Sequence, residues 1–237
     1  MIMSRLLNIL ISIYVLASLS CASKPPVSPP PISLPAPVTK PEGIYHTVEK
    51  SETLWRICKT YKVNMQEVAE LNNIKNPSLI RVGDKIFIPG AKQQLQVKST
   101  PPDIGEAPEI ILSKGMFIWP VKGKIVKQFG MNNGFKNDGI DIAASAGSKV
   151  VAAYSGKVVF ASELKGYGNT IIIQHNDKYA TVYANNKSIL VKKGAVVKTG
   201  QLISRAGNSS GVTTTIPHLH FQIREQNQPR NPLFYLP

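Results

Sequence analysis

Cysteine is nearly absent from this chain, whose 237 residues include only Cys21 and Cys58. Cys21 lies at the end of an N-terminal segment that resembles a secretion signal, so no disulfide is expected within the mature chain once Cys21 is modified or removed. Cys58 falls in a helical pattern of apolar residues, which indicates a buried packing role rather than a reactive thiol.

Acidic residues are also scarce. The chain has 14 Asp and Glu against 28 Lys and Arg, which gives a formal net charge of +14 and an isoelectric point near 9.8. Such a charge favours anionic partners, whether nucleic acid, membrane headgroups or a cell-wall polymer. The sequence has neither a zinc finger nor an aromatic RNA-binding motif, so no nucleic-acid partner is predicted.

A long apolar run is missing as well. Segment 6–20 is apolar but too short for a comfortable membrane span, and with Arg5 before it a signal peptide is predicted over residues 1–20. Residues 19–23 resemble the lipobox of bacterial lipoproteins, although Ser18 and Leu19 depart from its usual residues. The resemblance implies lipidation of Cys21 and a membrane anchor, and Ala22 suits the outer membrane, facing the periplasm. An uncleaved anchor, or an ordinary signal with a chance cysteine, is the alternative.

Composition divides the rest of the chain into two linkers and two domains. Residues 21–43 hold the predicted lipidated cysteine and eight prolines, which is typical of an extended tether. Residues 44–90 form a first compact domain, and residues 91–115 are polar and without a stable period, as in a second linker. Residues 116–237 alternate short apolar runs with Gly and Asn, which predicts an all-β antiparallel domain.

Residues 44–90 predict a strand, two helices and a closing strand. Tyr45 begins the first strand, Ser51 is a plausible cap of a helix, Asn64 may cap a second helix, and segment 85–89 is the last strand. This domain resembles the LysM family in the motifs Ser51-Glu52-Thr53-Leu54-Trp55, Asn76-Pro77-Ser78-Leu79-Ile80, Val82-Gly83-Asp84 and Ile86-Phe87-Ile88-Pro89. Ser51 departs from the usual glycine.

LysM domains bind glycans that contain N-acetylglucosamine, mainly peptidoglycan and chitin. The resemblance therefore implies a groove between two segments, lined by Ser51, Glu52, Thr53, Leu54, Asn76, Pro77, Leu79 and Ile80. The alternative is that these residues only complete the fold.

His218 and His220 are the most informative residues of the strand-rich domain. Residues two apart in a strand share one face of a sheet, and paired imidazoles at this spacing commonly serve a zinc site. The domain resembles the LytM-like peptidases of family M23 in the motifs Gly139-Ile140-Asp141-Ile142, Gly166-Tyr167-Gly168-Asn169, Tyr183-Ala184 and His218-Leu219-His220-Phe221. Active members hold zinc with two His and one Asp and use two further His in catalysis.

Two of these family positions have changed in this chain. The resemblance assigns ligand positions to Asp141 and His220 and a catalytic position to His218, but Asn137 replaces the other zinc ligand and Asn185 the second catalytic His. An amide oxygen is a weak zinc donor, and an amide cannot exchange protons as a general base near neutral pH. We therefore predict a vestigial groove of Asn137, Asp141, Asn185, His218 and His220, with no catalytic or metal-binding role. A zinc-bound pair of histidines, or replacement of the lost ligand by Asp138, is the alternative.

A lipobox, a LysM domain and a degenerate LytM domain together resemble the NlpD-type activators of cell-wall amidases. The resemblance implies a non-catalytic lipoprotein, without a cofactor, that binds peptidoglycan strands. Its groove would bind a regulatory helix of a periplasmic N-acetylmuramoyl-L-alanine amidase and so activate septal peptidoglycan splitting in cell division. By analogy, Tyr154, Tyr167, Tyr183 and loop 207–215 are expected at the groove rim. Two alternatives stay open: an active zinc metalloendopeptidase of family M23, and a glycan-binding scaffold without a hydrolase partner.

Overall fold

The computed structural model describes residues 41–97, 108–209 and 216–237. The predicted signal peptide, Cys21, most of the proline-rich tether, the middle of the second linker and most of loop 207–215 lie outside the described residues. Within the described part of the chain, none of the helices has the length and apolar character needed to cross a membrane.

The first domain is a two-stranded sheet with two short helices packed on it. Its elements are β1 (Gly43–Thr47), α1 (Leu54–Tyr61), α2 (Met65–Leu71), a 3-10 turn (Pro77–Leu79) and β2 (Lys85–Pro89), and β1 pairs with β2 in antiparallel register. Asn64 caps α2 as predicted, with its side chain accepting from Glu67 N. The predicted cap of α1 at Ser51 is wrong: Thr53 caps this helix, because Ser51 has a left-handed backbone, with φ 69, and lies in the preceding turn.

The core of this domain consists of the apolar faces of α1, α2 and β2, including Leu54, Ile57, Val68 and Ile86. Cys58 belongs to this core, and burial raises the pKa of its thiol to about 12, which confirms the predicted packing role.

The second domain is built on a large antiparallel sheet, as predicted from its short strands and turns. Its strands, in chain order, are β3 (Ile125–Lys127), β4 (Gly130–Asn132), β5 (Phe135–Asn137), β6 (Ile140–Ala143), β7 (Lys149–Val151), β8 (Gly156–Leu164), β9 (Gly168–Gln174), β10 (Tyr179–Ile189), β11 (Val196–Val197), β12 (Leu202–Ala206), β13 (His218–Glu225) and β14 (Gln228–Arg230). The main sheet runs β11-β8-β9-β10-β13-β6-β3, while β4 and β5 form a separate hairpin. We refer to residues 116–237 as the sheet domain.

Strand β13 lies in the middle of the main sheet and separates the core from the groove. Leu219, Phe221 and Ile223 alternate into the large core, where they are fully buried. The intervening residues therefore face the opposite side of the sheet, where neighbouring Val182 and Ala184 form a small apolar cluster. The predicted placement of His218 and His220 on one face is thus confirmed.

The first short apolar run of this domain, segment 117–120, was expected to form a strand but has none. Phe117 is instead buried among the rings of Tyr154, His175, Tyr179 and Tyr235. Both described ends of the second linker contact the first domain: Leu95 N donates to the Tyr61 hydroxyl, and Ile111 N donates to Gln66 Oε1. The composition of the linker gave no indication of these contacts.

The first domain and the sheet domain contact each other within one compact unit. Glu70 on α2 accepts hydrogen bonds from Arg230 Nη2 at 2.7 Å and from Asn231 N at 3.0 Å. Gly130 on β4 lies against the Leu71 carbonyl so closely that a Cβ atom there would be 2.0 Å from its oxygen. Helix α2 is therefore fixed to the hairpin of β4 and β5.

Candidate functional site

Asp141 and His220 form the best-defined pair of the predicted groove. Antiparallel pairing of β6 with β13 places the two residues opposite each other, and His220 Nδ1 lies 2.6 Å from Asp141 Oδ1. Gln222 Nε2 lies 2.9 Å from His220 Nε2, so Nδ1 carries the proton given to the carboxylate and Nε2 accepts from the amide. Burial alone would raise the pKa of Asp141, but the hydrogen bond from His220 and the charges of His220, His218 and Lys127 outweigh it and lower that pKa.

Asn185 and His218 form a second pair beside the first. Asn185 lies within a register shift of β10 and has a left-handed backbone, with φ 63, which asparagine tolerates better than most residues. Its Nδ2 donates to the carbonyls of His218 at 3.0 Å and Gly207 at 3.2 Å, and its Oδ1 accepts from Ser209 N at 2.9 Å. The amide therefore tethers two loop segments to the sheet.

The His218 ring is held by the same network. Its Nδ1 lies 3.1 Å from the Ile216 carbonyl, to which it must donate, and its Nε2 lies 3.3 Å from Asn185 Nδ2. In a neutral ring Nε2 is then the unprotonated nitrogen. The asparagine amide beside it cannot relay a proton as a histidine would.

Asn137 ends strand β5 and is buried, with 5% of its surface exposed. Its Nδ2 donates to the Gln128 carbonyl at 3.0 Å. The amide thus fastens the β4–β5 hairpin to the end of β3. The structure joins the other four predicted groove residues into two side-chain pairs, whereas Asn137 is bonded to the main chain of this hairpin.

These donors do not fit a zinc ion of the M23 type. A zinc site of this type needs three protein ligands, and Asp141 and His220 are the two family ligand positions that keep a carboxylate or an imidazole. Asn137 and Asn185 offer only amide oxygens, and that of Asn185 accepts from Ser209 N. In the described part of the chain, no group of three or more His, Cys, Asp or Glu is arranged to hold a metal ion.

Two parts of the expected rim lie at the groove residues: Tyr167, and the described start of loop 207–215, where the Gly207 carbonyl and Ser209 N are bonded to Asn185. The Tyr167 ring stacks edge-on against His220, with 5.6 Å between centroids, and packs on the apolar cluster of Ile172, Val182 and Ala184. Burial, and then the charge of Asp138, raise the pKa of Tyr167. Tyr183 is fully buried and accepts from Ala153 N, so its placement at the rim is wrong.

Tyr154 also lies elsewhere, because its ring packs against Phe117 and His175. Residues 210–215 of the expected rim loop lie outside the described residues. The alternative ligand Asp138 is paired with Lys136 Nζ at 3.0 Å.

The predicted glycan residues of the first domain separate into two groups. Leu54 is buried in the core, Thr53 caps α1, and Glu52 accepts from His46 Nε2 at 2.8 Å and from Glu49 N at 2.7 Å. Their side chains therefore support the loop, while Ser51 is exposed.

The second group lies at a cavity of about 520 Å³, which we call the LysM cavity. Asn76, Leu79 and Ile80 line it together with residues that the sequence analysis did not single out, namely Asn72, Asn73, Ile74, Lys75, Asp84, Lys85 and Ile86. Pro77, at the start of the 3-10 turn, is not among the lining residues. In the sequence, the closely spaced asparagines at 72, 73 and 76 were the feature that could have indicated this polar cavity.

Comparison with known proteins identifies both domains. Residues 46–89 match the LysM domain model, and residues 135–232 match the model of peptidase family M23. The chain is 37% identical over 209 residues to lipoprotein YgeR of Escherichia coli, with 82% of each chain covered. It is 32% identical over 266 residues to the lipoprotein NlpD/LppB homolog of Pseudomonas aeruginosa, covering 92% of this chain and 87% of that protein.

A third relative carries a functional name. The murein hydrolase activator NlpD of Escherichia coli is 48% identical over 120 residues, which cover 50% of this chain and 31% of that protein.

Proposed function

Because the chain belongs to the NlpD/LppB family of lipoproteins, we propose that it is a non-catalytic envelope lipoprotein that activates a periplasmic N-acetylmuramoyl-L-alanine amidase in septal peptidoglycan splitting. The LysM domain binds glycan strands. Lipidation at Cys21 anchors the chain to the periplasmic face of the outer membrane. The sheet domain supplies the surface that binds the amidase.

The observation that carries the proposal is the hydrogen bonding of the four paired groove residues. His220 donates to Asp141 at 2.6 Å, and Asn185 donates to the His218 carbonyl at 3.0 Å. Each family position that would serve zinc chemistry is thus engaged in a bond between protein groups. A surface of this kind can receive a side chain from a partner without competing with a bound metal and its water.

The relatives support activation rather than independent hydrolysis, because NlpD of Escherichia coli is named an activator. The competing function, a zinc endopeptidase, would need a third metal ligand at Asn137 and a second catalytic base at Asn185. Amides supply neither, for the reasons of donor strength and proton affinity given above. Stoichiometric zinc in the purified chain, with digestion of peptidoglycan by the chain alone, would establish that competing function.

Activation follows from selective binding. An amidase whose own helix blocks its zinc site exists in closed and open states, and a protein that binds only the open state raises its population by the difference in affinity. To shift such an equilibrium tenfold requires about 1.4 kcal/mol of differential binding, which a few groove contacts supply.

The test measures release of stem peptides from purified sacculi by a cognate amidase, with and without the full chain. We expect strong stimulation by the wild type and at least about a tenfold loss with Tyr167→Ala, because tyrosines in desolvated pockets carry much of the energy of such interfaces. Tyr154→Ala is the matched control, since this exposed tyrosine lies away from the groove residues. Absence of stimulation by the wild type would refute the proposal. Equal loss of stimulation in both variants would show that the groove is not the surface that binds the amidase.

A further inference from the structure

The LysM cavity has a charge character that a neutral glycan does not explain. Its lining includes Lys75 and Lys85, both exposed, together with asparagines and apolar residues that suit acetamido groups and sugar faces. A binding site for an uncharged polymer such as chitin has no need for ammonium groups. The two ammonium groups must therefore interact either with a charged group of the ligand or with an acidic residue of the fold.

In the fold, the nearby carboxylates accept hydrogen bonds from other groups. Asp84 is the acidic residue of the lining, and its Oδ2 accepts from Arg81 N at 2.8 Å within the turn before β2. Glu52, on the loop before α1, is bonded to His46 and Glu49 N, and its side chain is 3% exposed. The carboxylate of the lining thus accepts within its own turn, and that of Glu52 is already bonded to His46 and Glu49.

A further lysine, Lys114, lies close enough to Lys75 to interact with its charge. Burial first, and then the charge of Lys114 on the described end of the second linker, lower the pKa of Lys75. An anion bound beside Lys75 would offset this repulsion and favour the charged ammonium.

We infer that the LysM cavity selects N-acetylated glycan strands that carry carboxylates, with Lys75 and Lys85 as the specificity-determining residues. Peptidoglycan offers this chemistry in two forms: the lactyl carboxylate of muramic acid without a peptide, and the carboxylates of stem peptides. The ammonium groups form charge-assisted hydrogen bonds with the carboxylate, while the apolar lining contacts the sugar ring.

The lactyl carboxylate gives this preference a place in a reaction sequence. It is absent while the stem peptide is attached, because the lactyl carboxyl is then an amide. Hydrolysis breaks that amide C–N bond with one water, leaving the carboxylate on the glycan and an ammonium on the released peptide. The reaction that supplies this ligand is therefore the amidase reaction of the proposed function, on which this step rests, and the activator would be retained where the amidase has already acted.

The test titrates the full chain, in neutral detergent and without any amidase, with three tetrasaccharides of matched length. The first is chitotetraose, the second alternates N-acetylglucosamine with N-acetylmuramic acid without peptide, and the third is the second with stem peptides attached. We expect the second to bind about five- to tenfold more tightly than the first at 20 mM salt, as two partly exposed charge pairs would give, with the difference shrinking at 200 mM. The third shows whether stem-peptide carboxylates serve as well.

The double variant Lys75→Gln/Lys85→Gln should bind the first two ligands alike. Lys192→Gln/Lys193→Gln is the matched control, because it removes the same charge from an exposed loop of the sheet domain and should keep the preference. Equal affinity of the wild type for the first two ligands overturns the inference, and so does an equal effect of the two double variants. Absence of binding to all three would instead refute glycan binding by the LysM domain, which separates the two failures.

Discussion

At the residue scale, the two asparagines in the groove are held by different bonds, so restoring one histidine does not restore a site. We predict that Asn137→His leaves the protein unable to hydrolyse peptidoglycan, even with added zinc. Residue 185 still lacks a base, and His220 remains bonded to Asp141 at 2.6 Å. Dye release from labelled sacculi measures hydrolysis directly. The double variant Asn137→His/Asn185→His, which restores both histidines, is measured alongside for comparison. Digestion by the single variant would contradict the argument.

Ser51 is a second residue whose role is visible in its backbone. Its φ of 69 is a left-handed conformation that is costly for most residues with a Cβ atom, by about 1–2 kcal/mol, and glycine adopts it freely. Glycine also loses more entropy on folding, so we predict that Ser51→Gly raises the free energy of unfolding by only about 0.5 kcal/mol. Urea titration measures the change. Ser78→Gly, at an exposed residue of the 3-10 turn without positive φ, should lower the stability instead.

At the element scale, the end of strand β9 introduces a pH dependence. Burial lowers the pKa of His175 to about 4, against a smaller opposite effect of its hydrogen bond to the Ser155 carbonyl. Between the ordinary value near 6.5 and 4 the unfolded chain binds a proton that the folded chain does not, so stability falls as the pH falls through this range. Above pH 6.5 both states are neutral and the effect vanishes.

Between pH 7 and pH 4, we predict that the free energy of unfolding of His175→Gln falls by about 3 kcal/mol less than that of the wild type. The comparison is between the pH profiles of the two proteins, since the substitution also changes the bond to Thr181 at 2.8 Å and thus the stability at neutral pH. Urea titrations at four or five pH values give both profiles. Parallel profiles would show that His175 does not cause the dependence.

The elements that the sequence predicted well are those with a long alternating pattern. Strand β13 was expected from its run of apolar residues at every second position, and its register with β6 then brought His220 to Asp141. The hairpin of β4 and β5 was not expected, because strands of three residues give no period, although its turn at Asn133-Gly134 is a dipeptide typical of hairpins. Side-chain partners such as Gln222 and Gln128 were also missed, since they depend on contacts between distant segments.

At the scale of the whole molecule, the contact between α2 and the sheet domain joins the glycan-binding domain to the groove. Asn73, which lines the LysM cavity, donates to Gln128 Oε1 at 3.0 Å, and the Gln128 carbonyl accepts from Asn137 at the groove. Glu70 also stabilises this arrangement, through Arg230 and Asn231. The two domains should therefore unfold as one cooperative unit, unlike domains joined only by a linker.

Glu70→Ala tests this cooperativity, because it removes the carboxylate that the buried Asn231 N–H and Arg230 Nη2 share, while Arg230 keeps its ion pair with Glu225 at 3.5 Å. Loss of a buried acceptor that serves both groups costs about 3 kcal/mol, which falls on the interface rather than on either core. We predict that calorimetry of the full chain shows one transition for the wild type and two for Glu70→Ala, with the smaller LysM domain melting first. Glu67→Ala removes the same charge from an exposed position of α2 and should keep the single transition. A single transition in Glu70→Ala would mean that the apolar contacts of Leu71 and Phe87 with the core of the sheet domain are enough to couple the two domains.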